Sequence, residues 1–249
     1  MYGKKMYSSA QSLIGILVTD AHITRPPGDV GNPATYPFPV LYQKVATASL
    51  ERIIEKEDPE LLGPILEAGR ELVRKGATAI TSTCGFMILY QAELTRELPV
   101  PVFLSSLLQL PFIRRILGPD DQIGIITANA FHLTSRHLQL AGLEDVEAAK
   151  IIGLEARPAF REAIFGGSGN FACRAVEGEV VAAAREVVQG KGRVKAILLE
   201  CSNLPPYAGA VQEAVRLPVF DFNTMIHQVY RAIRQFPYPG SPLNSGNQG

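Results

Sequence analysis

Two cysteines stand in matched surroundings. Cys84 closes the apolar run 77–84 (ATAITSTC), and Cys201 closes the run 194–201 (VKAILLEC). Each is followed nineteen residues later by the last residue of a Pro-Val-Phe triplet, Phe103 and Phe220. Two thiols in repeated strand–thiol–helix–strand units can face each other across a cleft, where one removes a proton and the other returns one. Their polar company suits that chemistry. Thr81, Ser82 and Thr83 precede the first, and Ser202 and Asn203 follow the second, all small groups able to hold a carboxylate or amide. A single cysteine at a strand end is ordinary core; the matched pair points to function. A thiol opening a helix also lies near free N–H groups that favour a thiolate, so one thiolate and one thiol near neutral pH are expected. Cys173 has no counterpart in the first half and reads as a bystander.

The elements that must position these thiols alternate. Short β-branched runs at 13–19, 77–83, 102–105, 122–127, 150–153, 194–200 and 219–222 lack a polar/apolar alternation, as strands covered on both faces do. Helical stretches fall at 44–56, 59–75, 86–97, 110–117, 131–141, 177–189, 205–214 and 224–234. This order predicts an α/β fold of parallel βαβ units. Gly15-Ile16-Leu17 and Gly124-Ile125-Ile126 open two similar halves. The expected layout is two pseudo-symmetric domains, each a short parallel sheet flanked by helices, with the active site in the cleft between them. Residues 1–110 form the first domain, with helix 223–235 packing back on it. Residues 111–222 form the second, and 236–249 a disordered tail. A single doubly wound sheet is the competing layout. In both, ligands collect at the carboxyl ends of the strands, where both cysteines lie.

Composition narrows the functional classes. Apolar residues make up 47% and charged residues 19% of the 249, and the formal net charge is zero, so nothing steers the chain to nucleic acid or an anionic membrane. The run 13–18 is too short for a signal-peptide core or a membrane span. Three cysteines fit neither a zinc knuckle nor a disulfide framework, which points to free thiols in a reducing cytoplasm. The histidines, His22, His132, His137 and His227, lack metal-ligand spacing, so no metal is expected.

Three further segments are candidates. The proline-rich stretch 20–40 is long and non-periodic, as functional loops are, and suits a fixed wall or lid. Within it Asp20, at the ligand-facing end of the first strand, is a substrate-binding candidate. Arg25 suits a distal carboxylate, although a surface arginine explains it better. The glycine-rich 165–171 (FGGSGNF) matches no nucleotide loop and reads as a loop, with a gate as its functional option. Tyr207 fits either a pocket wall or core packing.

The segments ITSTCGF (80–86) and LLECSNLPPYA (198–208) resemble the two cysteine motifs of the aspartate/glutamate/hydantoin racemase superfamily, and the similarity runs over about 13–235. The resemblance implies cofactor-independent enzymes of two pseudo-symmetric α/β domains, and allows a homo-oligomer. By it, Cys84 and Cys201 are the acid/base pair, with Ser82, Thr83, Ser202 and Asn203 around the substrate's carboxylate or carbonyl. Where glutamate racemases have Asn-Thr after the first cysteine and Thr-His after the second, this chain has Gly85-Phe86 and Ser202-Asn203. Gly85 would let a substrate carbonyl approach the backbone. The expected activity is therefore racemisation or epimerisation, without cofactor, at a carbon α to a carboxylate or amide carbonyl. The substrate is a small carboxylate or cyclic amide other than glutamate. Retention of both thiols argues against the superfamily's single-cysteine decarboxylases. The alternatives are a maleate-type cis–trans isomerase with a cysteine nucleophile, and a non-catalytic small-carboxylate binder.

Overall fold

A computed structural model describes residues 12–166, 173–190 and 192–235, within which seven parallel strands form two sheets. The first holds β1 (Ile14–Val18), β2 (Val40–Lys44) and β3 (Ala79–Ser82) in the order β2-β1-β3. The second holds β4 (Asp121–Thr127), β5 (Ala149–Gly153), β6 (Arg193–Leu199) and β7 (Val219–Phe220) in the order β5-β4-β6-β7. Around them pack α1 (Leu62–Arg74), α2 (Gln91–Glu97), α3 (Leu110–Ile116), α4 (Ser135–Leu140), α5 (Pro158–Phe165), α6 (Cys173–Gln189), α7 (Ala208–Val215) and α8 (Phe222–Ile233). This is the expected α/β architecture of two helix-flanked parallel sheets.

The central strands are apolar on both faces because helices cover both. Ile14, Ile16 and Leu17 of β1 and Ile123, Ile125 and Ile126 of β4 are fully buried. Each such side chain contributes about 1.5–3 kcal/mol of burial. The helix α1 turns Ile65, Ala68, Gly69 and Leu72 inward, and α6 does the same with Val176, Val180, Ala183 and Val187, both at helical spacing. Gly15 and Gly124 hold equivalent places in β1 and β4. A Cβ on Gly15 would meet Ala77 Cβ at 3.0 Å and Leu72 Cδ1 at 3.1 Å, and one on Gly124 would meet Val187 Cγ1 at 2.9 Å. The duplicated glycine thus lets a helix approach its sheet closely in each half.

The largest core cluster joins the two sheets, containing Leu17 and Ile80 from one and Ile123, Ile125 and Leu198 from the other. The last helix, α8, packs Phe222, Met225, Ile226 and Tyr230 against Ile14, Ile16 and Ala79 of the first sheet and Phe103 beside it. It is started by a capping box in which Asp221 accepts from the Thr224 amide at 2.7 Å.

Several elements depart from the sequence reading. The expected strand at 102–105 is reduced to one bridge, Ile80 to Val102, because Gln91 Oε1 accepts the Leu104 amide and takes the strand's place. The expected helix 44–56 is instead the end of β2 and a π-helical turn at Glu51–Glu55, separated by Thr47 with φ of 74°. The helix expected at 131–141 starts at Ser135, where Thr134 and His137 form a capping box. The helix α5 had no counterpart in the sequence reading. The leader 1–11, most of the glycine-rich segment (167–172) and the tail 236–249 lie outside the described residues. Among the described residues no helix is long and apolar enough to cross a membrane.

Candidate active site

The carboxyl ends of β3 and β6 bring Cys84 and Cys201 to one small cavity. Its volume is about 20 Å³, room for roughly one water molecule. Apolar walls come from both halves: Leu50, Ile54 and Phe86 from the first, Ala128, Ile164 and Phe165 from the second. The polar lining is Thr83, Cys84, Gly85, Glu200, Cys201 and Asn203. All the ionisable groups that line the cavity are acids: two thiols and one carboxyl.

Glu200 was missed by the sequence reading. It is fully buried, its Oε2 accepts the Thr127 hydroxyl at 2.8 Å, and its Oε1 is buried with no hydrogen-bond partner. That oxygen fills the space beside Gly85: a Cβ there would overlap Oε1 and lie 2.6 Å from the carboxyl carbon. Gly85 lines the cavity, and its lack of a side chain leaves room for a carboxyl group of the protein.

Protonation states also differ from expectation. Burial pushes the Cys84 thiol up to about 12, with the charge of Glu200 adding to it. The amides of Phe86 and Met87 and the Arg25 guanidinium oppose this and are outweighed. Burial likewise pushes Cys201 well above the ordinary thiol range, helped by Glu200, Cys84 and Asp29 and opposed by the Asn203 amide. The expectation of a resting thiolate near neutral pH is thus corrected: loss of water costs each thiolate more than nearby N–H groups return. Glu200 is raised to about 7, by burial against the Thr127 hydrogen bond.

The remaining candidates divide into linkers and bystanders. The Cys201 thiol donates to Asn203 Oδ1 at 3.4 Å, and Asn203 Nδ2 donates to Asp29 Oδ2 at 2.6 Å. Asp29, fully buried, pairs through Oδ1 with Arg25 Nη1 at 2.8 Å. The loop after β1 is thereby fastened to the second thiol, a link the sequence reading lacked for Asp29. Ser202 Oγ donates to Thr83 O at 2.6 Å, stitching the two cysteine loops together. Thr83 Oγ1 accepts the Thr19 amide at 3.1 Å, and Ser82 Oγ donates to Leu104 O at 2.6 Å. Ser82 and Ser202 thus hold backbone. Asp20 does not line the cavity; it pairs with the exposed Lys44. Tyr207 packs in the core of the second half. Among the described residues no three His, Cys, Asp or Glu side chains are arranged to hold a metal ion.

A curated dimethylsulfoniopropionate lyase from Durusdinium sp. clade D is 33% identical over 214 residues, covering 84% of this chain and 70% of its own length. The chain belongs to the dimethylsulfoniopropionate lyase family. Dimethylsulfoniopropionate lyase 5 of Emiliania huxleyi is 30% identical over 239 residues, 92% of this chain. The chain spans about half of that relative's length, 47%. No protein-family model matches.

Solved structures place this lyase-family chain in the fold of the aspartate/glutamate/hydantoin racemase superfamily. A Gly-to-Cys variant of arylmalonate decarboxylase, in its sulfate-associated form, aligns with a TM-score of 0.61 at 15% identity, over 92% of this chain and 97% of that one. Allantoin racemase from Klebsiella pneumoniae aligns with a TM-score of 0.54 at 15% identity, over 88% of each chain. At that identity the likeness is one of fold, and both fold and family are those of enzymes.

Proposed function

We propose that the chain is a dimethylsulfoniopropionate lyase, splitting its substrate into dimethyl sulfide and acrylate. The observation that carries this reading is the small cavity whose ionisable lining is two thiols and one carboxyl, in a chain of this family. A cysteine thiolate takes the proton from the carbon α to the carboxylate. The C–H electron pair becomes the new C=C bond, the bond from the β-carbon to sulfur breaks, and its pair leaves with sulfur as neutral dimethyl sulfide. The first step is the one expected of a racemase. The outcome differs because a leaving group on the next carbon departs before a proton returns.

Substrate charge helps at the right moment. A sulfonium entering a water-poor cavity favours the anionic form of every acid around it, so thiolate formation becomes easier when substrate arrives. Apolar walls suit the methyl groups. At about 20 Å³ the resting cavity is smaller than any such substrate, so its walls must part on binding.

The test is incubation of the purified chain with dimethylsulfoniopropionate in heavy water, with gas chromatography for dimethyl sulfide and NMR for acrylate. Both products are expected in equal amounts, and Cys84→Ser and Cys201→Ser should each lower turnover by about 10²-fold or more with the fold retained. Absence of dimethyl sulfide, together with α-deuteration and loss of optical purity of aspartate, glutamate or a hydantoin, would return the reading to a two-cysteine racemase.

A further inference from the structure

Resting on that reading, we infer that Glu200 is a catalytic acid/base: it accepts the Cys84 proton, turning that thiol into the base, and carries the proton released in each turnover. Three features of the geometry point there. Glu200 lines the same cavity as both thiols. One carboxyl oxygen is fixed by Thr127, while the other is buried, unpartnered and set against Gly85, the residue next to Cys84. An orphaned acceptor of this kind normally costs stability, and its retention calls for an explanation. Gly85 supplies the second half of the argument, since any side chain there would displace the carboxyl.

The two thiols are not equivalent with respect to it. The Cys201 hydrogen is committed to Asn203 Oδ1, which is held in turn by Asp29. The backbone amides of Phe86 and Met87 follow Cys84 at the start of the next turn and favour its anion. The cavity shared by Cys84 and Glu200 has room for one bridging water, within the reach of general base catalysis. The titratable groups around the carboxyl are Cys84, from the loop after β3, and Cys201, its chain neighbour. The Arg25–Asp29 pair acts from the loop after β1, Arg25 upon Cys84 and Asp29 upon Cys201.

The protons balance. Glu200 carboxylate takes the Cys84 proton, leaving a thiolate and a neutral acid. The thiolate takes the α-proton and is again a thiol, while the C–S pair leaves with dimethyl sulfide. Glu200 then gives its proton to solvent as the products depart, and the site is reset. The net reaction releases one proton per acrylate formed. With Glu200 raised to about 7 and Cys84 to about 12 the transfer is uphill, so the thiolate forms only as it reacts, while Glu200, partly ionised at neutral pH, can afterwards surrender the proton.

The experiment is read first on the resting protein, so that it does not depend on the substrate. Native chain, Glu200→Gln and Glu200→Asp are treated with iodoacetamide between pH 5.5 and 9. Labelling of Cys84, Cys201 and the exposed Cys173 is followed separately by peptide mass spectrometry, with Cys173 as internal reference. A relay predicts that Cys84 labelling in the native chain rises with a midpoint near 7. In Glu200→Gln that limb disappears and labelling near neutral pH falls several-fold, while Glu200→Asp keeps it in part. A carboxylate that only repels thiolate charge predicts the opposite sign, faster Cys84 labelling in Glu200→Gln, and that result overturns the inference. Turnover should fall by about 10²–10⁴-fold in Glu200→Gln, with loss of the acid limb of the pH profile. A native chain with the Cys84 limb but no dimethyl sulfide production would sink the lyase reading and leave the relay standing.

Discussion

The contact between Gly85 and Glu200 makes a quantitative prediction for Gly85→Ala. The backbone at Gly85 is not in the left-handed region, so alanine there meets no conformational strain and the substitution tests space alone. A Cβ would overlap Glu200 Oε1 and lie 2.6 Å from Cδ and 2.7 Å from the Glu200 backbone oxygen. The carboxyl can rotate away only by giving up the Thr127 hydroxyl, a buried hydrogen bond worth about 1 kcal/mol. The backbone oxygen cannot rotate. It is held by Ser106 Oγ at 3.1 Å, and the Glu200 amide donates to Ile126 O at 2.8 Å. Overpacking of this kind costs about 1–3 kcal/mol, so the total is about 2–4 kcal/mol, a fall in Tm of roughly 5–15 °C for a chain of this size. Gly178→Ala is the control. It lies exposed within α6 with no atom within 4 Å of its Cβ, and should gain about 1 kcal/mol from helix propensity. Thermal melts by circular dichroism, with dimethyl sulfide production alongside, decide the matter. A Gly85→Ala chain that melts with the native protein and keeps its turnover would refute the placement of the Glu200 carboxyl.

Two further outcomes follow from the buried charges. Asp29→Ala removes the partner of a largely buried arginine and should cost about 3 kcal/mol or more by urea unfolding. Asp20→Ala breaks a solvent-accessible pair with Lys44 and a backbone contact from Thr47, and should lower the unfolding midpoint far less; equal effects would mean that the loop after β1 is not anchored through Asp29. Glu200 also links stability to pH. Its pKa is raised from 4.5 to about 7 on folding, so the stability of its neutral form is complete below about 4.5 and lost as pH rises through about 7. That difference is about 3 kcal/mol, and between pH 5 and 8 the native chain should lose most of it relative to Glu200→Gln. Parallel pH–stability curves for the two proteins would show that the carboxyl is not desolvated.

The α/β architecture was legible because unalternating apolar runs and intervening helical periods leave few other solutions, and the repeat of Gly15 in Gly124 marked two sheets. The strand β2 and the helix α5 were not legible. Val40–Lys44 is half-buried at an edge and follows a proline-rich loop, so it carries neither the apolar run of a central strand nor the alternation of an exposed one. Around the thiols, position and protonation state were encoded differently. Where Cys84 and Cys201 stand follows from strand ends and spacing, which are local. Whether they carry charge depends on Glu200, Arg25 and Asp29, and on how completely water is shut out. The Asn203–Asp29 contact joins residues 174 apart in the chain, so no local pattern announces it. Glu200 alone was visible in principle: a carboxylate ending the apolar run VKAILLEC is too costly to bury without a purpose. A strand-end cysteine preceded by such a residue and a facing cysteine followed by glycine are therefore one signal. The glycine is the vacancy that the carboxyl fills.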